Sequence, residues 1–159
     1  MDELKLLVSP SPHVRDTDTT EKIMFAVLIG LLPVVAAAIY FFRWPAVRIL
    51  LLSSAAAVAT EAIWQRLRGQ PIRIGDGSAL ITGLLLGLSV PPTLPSWMVV
   101  VGSAFAIAIG KQVFGGLGHN PFNPALVGRA FLTASFGRAM TTWTAPLDGV
   151  TAATPLALG

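Results

Sequence analysis

The sequence predicts an all-α, polytopic membrane helix bundle of about five transmembrane or half-membrane helices, and three observations carry that prediction. Hydrophobic residues make up 53% of the 159 residues and charged residues only 12%, with a mean hydropathy of +0.70, too apolar for an ordinary soluble domain. The apolar residues fall in blocks, and the first, Ile23 to Phe42, is a run of 20 residues without a charge. About 20 such residues span a ~30 Å hydrocarbon core. The segment before it is polar and partly acidic (Asp2, Glu3, Asp16, Asp18, Glu21), which argues against a secretory signal peptide.

The elements follow in order. Residues 1–21 form a cytoplasmic tail, residues 22–140 the membrane bundle, and residues 141–159 an external loop with the start of a further helix. Ser9-Pro10-Ser11-Pro12 resists helix, because each proline disfavours the α conformation of the residue before it. The first helix is expected to begin near Asp18, with Glu21 three positions on resembling a capping box, and to kink at Pro33. Trp44 to Trp64 is a second span with a tryptophan at each end; Arg48 and Glu61 lie near those ends, where long charged side chains reach the interface cheaply. Gln65 to Gly77 is a polar basic loop. Ser78 to Val90 and Trp97 to Ile109 are shorter apolar stretches separated by Pro91 to Ser96, which reads as a pair of tilted spans or half-helices. Asn123 as N-cap and Pro124 at the first helical position open a fifth helix, to about Phe136. Thr154-Pro155 opens another that stops within its first turn, so the sequence is expected to belong to a longer chain.

Basic residues set the orientation. Lys5, Arg15, Lys22, Arg66, Arg68 and Arg73 lie on the tail side of the first two spans, against Arg43 and Arg48 on the other. This asymmetry puts the N-terminus in the cytoplasm, and five crossings put the segment after residue 138 outside.

Composition also excludes chemistry. A net charge of +3 from scattered basic residues makes no basic patch for nucleic acid. Without cysteine there is no thiolate metal site, cysteine nucleophile or iron–sulfur cluster held by this chain. Two histidines, His13 and His119, and eight scattered acids make no metal cage and no catalytic constellation. A redox role therefore needs an organic cofactor or a metal with other ligands.

Four segments remain as candidate sites. Gly110 to Pro124 is the densest glycine and polar cluster, either a tight turn or a place where backbone approaches a planar ligand; it is neither a Walker A loop nor a dinucleotide fingerprint. His119 within it reads as a proton relay or a hydrogen-bonded loop residue. Lys111 and Arg129 sit at the edges of apolar stretches, nearer an interface than the bilayer centre, suited to lipid headgroups or to an anionic cofactor. Gly83 and Gly87, four apart, give one helix face without bulk for close packing, and Asp76-Gly77-Ser78 ahead of them is an N-cap signal. Finally, Asp148-Gly149-Val150-Thr151-Ala152-Ala153-Thr154 is a small-residue stretch that leaves the Thr154 hydroxyl open to an enzyme.

Taken in order, Ser11-Pro12-His13, the run Asp76 to Pro92 (DGSALITGLLLGLSVPP), the run Gly115 to Ala125 (GGLGHNPFNPA) and DGVTAATPL resemble the RnfD/NqrB family. Its members are the RnfD subunit of the Rnf ion-translocating ferredoxin:NAD oxidoreductase complex and the NqrB subunit of the sodium-pumping NADH:quinone oxidoreductase; the short N-terminal tail resembles the former. The resemblance implies one half of an inverted-repeat, urea-transporter-like membrane architecture. It implies a covalent FMN joined through its phosphate to Thr154, in a motif whose recognition positions match Asp148, Thr151 and Ala153; Thr151-Ala152 stands where the commoner form reads Ser-Gly. It further implies an FAD:protein FMN transferase acting outside the cytoplasm, the other Rnf complex subunits (A, B, C, E and G) as partners, and a place in the bacterial inner membrane. Lys111, His119, Asn120 and Arg129 become candidate flavin contacts, and a second, non-covalent flavin (riboflavin) a further expectation. The activity implied is electron relay between ferredoxin and NAD coupled to Na⁺ or H⁺ translocation, within the complex and not as an enzyme alone. A small-solute channel or transporter is the rival from another class, and a structural membrane subunit whose glycines only pack helices is the third reading.

Overall fold

Residues 19–144 and 151–153 are described by the computed structural model. Ser11, Pro12, His13, Asp148, Thr154 and the helix start after it lie outside the described residues.

The first helix, α1 (Thr20–Leu67), is capped by Thr19 rather than Asp18: the Thr19 hydroxyl accepts from the Lys22 amide at 3.4 Å. The helix is two limbs, 20–42 and 44–67, broken at Arg43 (φ 52°, ψ −133°). Proline causes the break, but not Pro33, which sits in helical backbone. Pro45 has no N–H for the carbonyl four residues back and crowds the residue before it. In the first turn of the second limb that missing donor costs nothing. Each limb is about 35 Å long, sufficient for one crossing.

The first limb touches the bundle through a narrow seam. Met24, Leu28, Leu31, Val35, Ala38 and Phe42 are half-buried, alternating four and three residues apart as in a coiled-coil stripe. Phe25, Ile29, Leu32 and Tyr40 around it are exposed, and an apolar surface outside the seam suits lipid. Trp44 is exposed at the break, while Glu61 near the other tryptophan is buried, so its carboxylate does not reach out to the interface as expected. The second limb ends in a Schellman motif: Gln70 N–H bonds Gln65 C=O at 2.9 Å and Gly69 N–H bonds Arg66 C=O at 3.1 Å, with Gly69 at φ 64° as this cap requires.

Helix α2 (Ser78–Ser89) runs from there toward the Arg43 end of α1, and α3 (Ser96–Ile107) returns and passes into a π-helical turn (Ala108–Gln112). The Val113 amide bonds Ala108 C=O at 3.0 Å, the i→i+5 spacing of that turn. Between α2 and α3 the proline-rich connection is tied to α1 by Arg48, whose guanidinium donates to the carbonyls of Pro92 (3.3 Å) and Leu94 (3.1 Å). Arg48 is thus a crosslink within the bundle and not a snorkelling surface charge. Helix α4 (Pro124–Ser135) opens as expected, with Asn123 Oδ1 accepting from the Ala125 amide at 2.9 Å. A short helix, α5 (Gly137–Thr141), and an antiparallel ribbon of β1 (Thr142–Thr144) and β2 (Thr151–Ala153) follow. The ribbon replaces the expected plain loop. At ~18 Å each, α2 and α4 are shorter than the hydrocarbon thickness; among the described residues only α1 is long and apolar enough to cross by itself.

Ile49, Leu86, Val90, Leu94, Val99, Ala106, Ala125, Leu132 and Met140 form one core drawn from α1 through α5. Small residues let these helices approach. A Cβ on Gly83 would lie 2.5 Å from Ser54 Cα, and one on Gly87 2.5 Å from Ser53 Oγ. A second close crossing joins α3 to α4, where a Cβ on Gly128 would lie 2.7 Å from Ala106 Cβ. Gly83→Ala therefore forces α2 off α1, and overpacking of this kind costs ~1–3 kcal/mol. Gly30 has nothing within 4 Å of its would-be Cβ. Thermal unfolding in detergent is expected to shift down for Gly83→Ala and not for Gly30→Ala; equal midpoints would refute the close crossing.

Candidate functional site

Two sites lie at opposite ends of the bundle. The first is a buried ionic cluster at the end where α1 finishes and α2 begins. Lys111 and Glu61 are each only 2% exposed, with Nζ to Oε1 at 2.6 Å. The Lys111 ammonium also donates to Ser78 Oγ at 2.5 Å, and Gln112 Nε2 donates to the same Glu61 Oε1 at 2.7 Å. Ser78 passes the polarity on, its hydroxyl donating to Asp76 Oδ1 at 2.8 Å while its amide donates to the same oxygen at 3.0 Å. The N-cap position of α2 falls on Gly77, which has no side chain to cap with; Asp76, one residue earlier, takes the Ser78 bonds instead, and the serine is also the second acceptor for a buried lysine.

Lys111 and Gln112 are neighbours in the π-helical turn, and both side chains reach the one Glu61 oxygen. Gly115 then closes the helix, with Gly116 N–H on Lys111 C=O (3.1 Å) and Gly115 N–H on Gln112 C=O (3.2 Å). Its φ of 110° is open to glycine. Glu61 Oε2 has no hydrogen-bond partner among the described residues. Glu61 lines a polar cleft of about 810 Å³ with Gln65, Asp76, Gln112 and Gly115. No group of three or more His, Asp or Glu placed to hold a metal occurs among the described residues.

The second site is the β1–β2 ribbon. Its register pairs Thr142 with Ala153, Trp143 with Ala152 and Thr144 with Thr151. Thr93 Oγ1 donates to the Thr142 carbonyl at 3.0 Å, tying the ribbon to the α2–α3 connection. Trp143 shares a small pocket with Phe42, Pro92 and Leu88, which puts the ribbon at the Arg43 end of the bundle. Thr151 and Ala153 of the candidate motif are thus held in β2, one peptide bond short of Thr154.

The other sequence-derived candidates do not gather there. Lys111 lies at the end of the bundle but is buried there, engaged by Glu61 and Ser78 instead of open to lipid headgroups. His119 is exposed in the glycine loop, and Asn120 donates to the Phe122 carbonyl at 2.8 Å. Arg129 is exposed on α4. The α3 helix with its π turn, ~25 Å long, separates Lys111, His119 and Asn120 from the ribbon. Sequence reading missed Glu61, Ser78 and Gln112 as one unit with Lys111. The signal for it was an acid and a base of opposite sign, each inside an apolar block, since such charges pair inside a membrane bundle.

The NQR2, RnfD, RnfE family matches residues 7–159. The D subunit of the Na(+)-translocating ferredoxin:NAD(+) oxidoreductase complex of Acetobacterium woodii is 51% identical over 99% of this chain and 50% of its own length. Its counterpart in the proton-translocating ferredoxin:NAD(+) oxidoreductase complex of Clostridium ljungdahlii is 45% identical over 95% of this chain and 47% of its own. The D subunit of the ion-translocating oxidoreductase complex of Cronobacter sakazakii is 47% identical over 87% and 40%. The chain spans about half the length of these curated relatives.

Removing one member of the buried pair leaves the other charged and unpaired, which costs ~3–5 kcal/mol. Lys111→Met is therefore expected to lower the unfolding midpoint strongly in detergent, and Lys111→Met combined with Glu61→Leu to recover most of the loss. A double variant as unstable as the sum of the singles would contradict a direct pair.

Proposed function

This chain belongs to the NQR2, RnfD, RnfE family, and we propose that it is the flavin-bearing half of the RnfD subunit of an Rnf complex. In this reading Thr154 carries FMN through a phosphoester, and the protein relays electrons between ferredoxin and NAD while the complex moves Na⁺ or H⁺. The names of the relatives support the complex and its ion coupling; relatives of nearly equal identity are named for sodium and for protons, so both ions stay within the proposal.

The observation that carries the flavin assignment is the ribbon. Thr151 and Ala153 lie in a two-stranded ribbon, whose strands have one unpaired edge each, and an enzyme can read such an edge by strand addition. Attachment then balances simply: the Thr154 hydroxyl oxygen bonds the flavin-side phosphorus of FAD, AMP leaves, and the hydroxyl proton is released. The bound flavin would accept one or two electrons, linking one-electron and two-electron carriers. What this chain contributes is placement: β2, which ends at Ala153, lies at the bundle end opposite Thr20. With Arg66, Arg68 and Arg73 on the cytoplasmic side, the anchor faces outward in the bacterial inner membrane, where the transferase acts.

Coexpressed with an FAD:protein FMN transferase, the full-length protein is expected to fluoresce as a band under ultraviolet light after denaturing electrophoresis. Thr154→Ala is expected to abolish the band completely. A dark wild-type band would remove the flavin assignment, and a bright variant would move the anchor to another residue.

A further inference from the structure

Helix α4 turns one face to the bundle and leaves the other exposed. Ala125, Gly128 and Leu132 are buried in the core, while Leu126, Arg129, Ala130 and Thr133, at the complementary helical positions, are exposed. Contacts fix the level of this face. A Cβ on Gly128 would lie 2.7 Å from Ala106 Cβ and 2.9 Å from the Gly102 carbonyl oxygen. Those two residues flank the midpoint of the continuous helical run from Ser96 through the π-helical turn to Gln112. Arg129, next to Gly128, therefore leaves its helix about 12 Å from either end of that run. Among the described residues nothing pairs with its guanidinium. No membrane segment of this chain supplies a counter-charge at that level either. Of the eight acidic residues only Glu61 and Asp76 lie between residues 22 and 140, and both are engaged at the cluster end.

We propose that this face of α4 is covered by a membrane helix from the portion of the protein beyond residue 159, and that this helix carries an aspartate or glutamate midway along, paired with Arg129. Charge is the first reason. An arginine at mid-depth in a membrane protein faces protein or water, not lipid, and takes an acidic or carbonyl partner; a carboxylate meets the planar guanidinium with two parallel bonds. Surface texture is the second. The outer side of α1 is bulky and uncharged, with Phe25, Ile29, Leu32 and Tyr40 exposed, as suits lipid. On α4, Ala130 and Thr133 are small, and Thr133 donates its hydroxyl proton to the Arg129 carbonyl at 2.9 Å; small residues mark helix–helix contacts in membranes. The source follows from chain length and order. This chain covers 50% and 47% of two of its curated relatives, so a second set of helices of comparable size belongs to such proteins. Consecutive elements are mostly neighbours in space, and α4 is the last long helix among the described residues. Flavin attachment plays no part in this pairing.

The test uses the full-length protein in its membrane complex, with the photo-crosslinking residue benzoylphenylalanine in place of Ala130 and, separately, in place of Leu32. After irradiation and digestion, the probe at 130 is expected to capture a peptide of the same chain, from a membrane segment beyond residue 159 that contains an aspartate or glutamate. The probe at 32 is expected to capture no peptide. Capture of a peptide from another subunit at 130, or of no peptide there, overturns the proposal. Substitutions then test the pair by thermal unfolding in detergent. Arg129→Leu is expected to lower the midpoint and Arg129→Lys to keep most of it; on a lipid-facing surface the leucine would raise it, and an unchanged or raised midpoint overturns the pair. Arg129→Glu combined with arginine in place of the captured acid is expected to recover most of what Arg129→Glu loses. A double variant no better than either single overturns the pair, and should Arg129→Glu fail to fold, the crosslink and the Arg129→Leu midpoint still decide.

Discussion

The bundle is organised around one carboxylate oxygen. Glu61 Oε1 receives the Lys111 ammonium and the Gln112 amide together, at 2.6 and 2.7 Å, and Ser78 completes the lysine's partners. Burying these charges is costly, and a buried pair is weak as a source of stability compared with well-packed apolar side chains. Its value is in restriction. Apolar helices with small-residue faces can slide against one another with little change in burial, whereas a charged pair with specific hydrogen bonds is satisfied in one register only. Here that register fixes the end of α1, the start of α2 and the end of α3 at a single point.

Once that end is pinned, the remaining geometry follows. Helix α2 leaves the cluster and α3 returns to it, so the proline-rich connection between them is carried to the opposite end. Arg48 holds the connection there through the Pro92 and Leu94 carbonyls, and Thr93 holds the ribbon to it. Close crossings at Gly83, Gly87 and Gly128 set the helix spacing, leaving the first limb of α1 as an outer element against one seam. A polar cleft at the pinned end and a small apolar pocket at the ribbon end are therefore products of the same register.

Much of the fold is legible in the sequence because its signals are local. The charge-free run from Ile23, the Asn123-Pro124 start of α4 and the spacing of Gly83 and Gly87 each reflect a constraint satisfied within a few residues. The cap of α1 differs from the expected one by a single residue, at Thr19. The break in α1 falls at a different proline from the one expected, since Pro33 lies where a membrane helix tolerates it while Pro45 sits beside the turn at Arg43. What stays hidden is long-range: Glu61 and Lys111 are fifty positions apart, and each alone reads as a charge near a span end. The ribbon escapes for another reason. Strands of three residues are too short to show a period, although Thr142-Trp143-Thr144 is β-prone and Asp148-Gly149 is a hairpin signal. Of the candidate site, Thr151 and Ala153 lie in that ribbon, while Lys111, His119 and Asn120 belong to the far end.

Because every functional statement depends on what the chain carries one residue beyond β2, the most direct measurement is peptide mass spectrometry of full-length protein from its native host. The account predicts a peptide spanning Asp148 to Thr154 that bears one FMN phosphoryl group, with fragmentation assigning it to the Thr154 hydroxyl. Finding that peptide entirely unmodified, in protein purified with its partner subunits, would contradict the account.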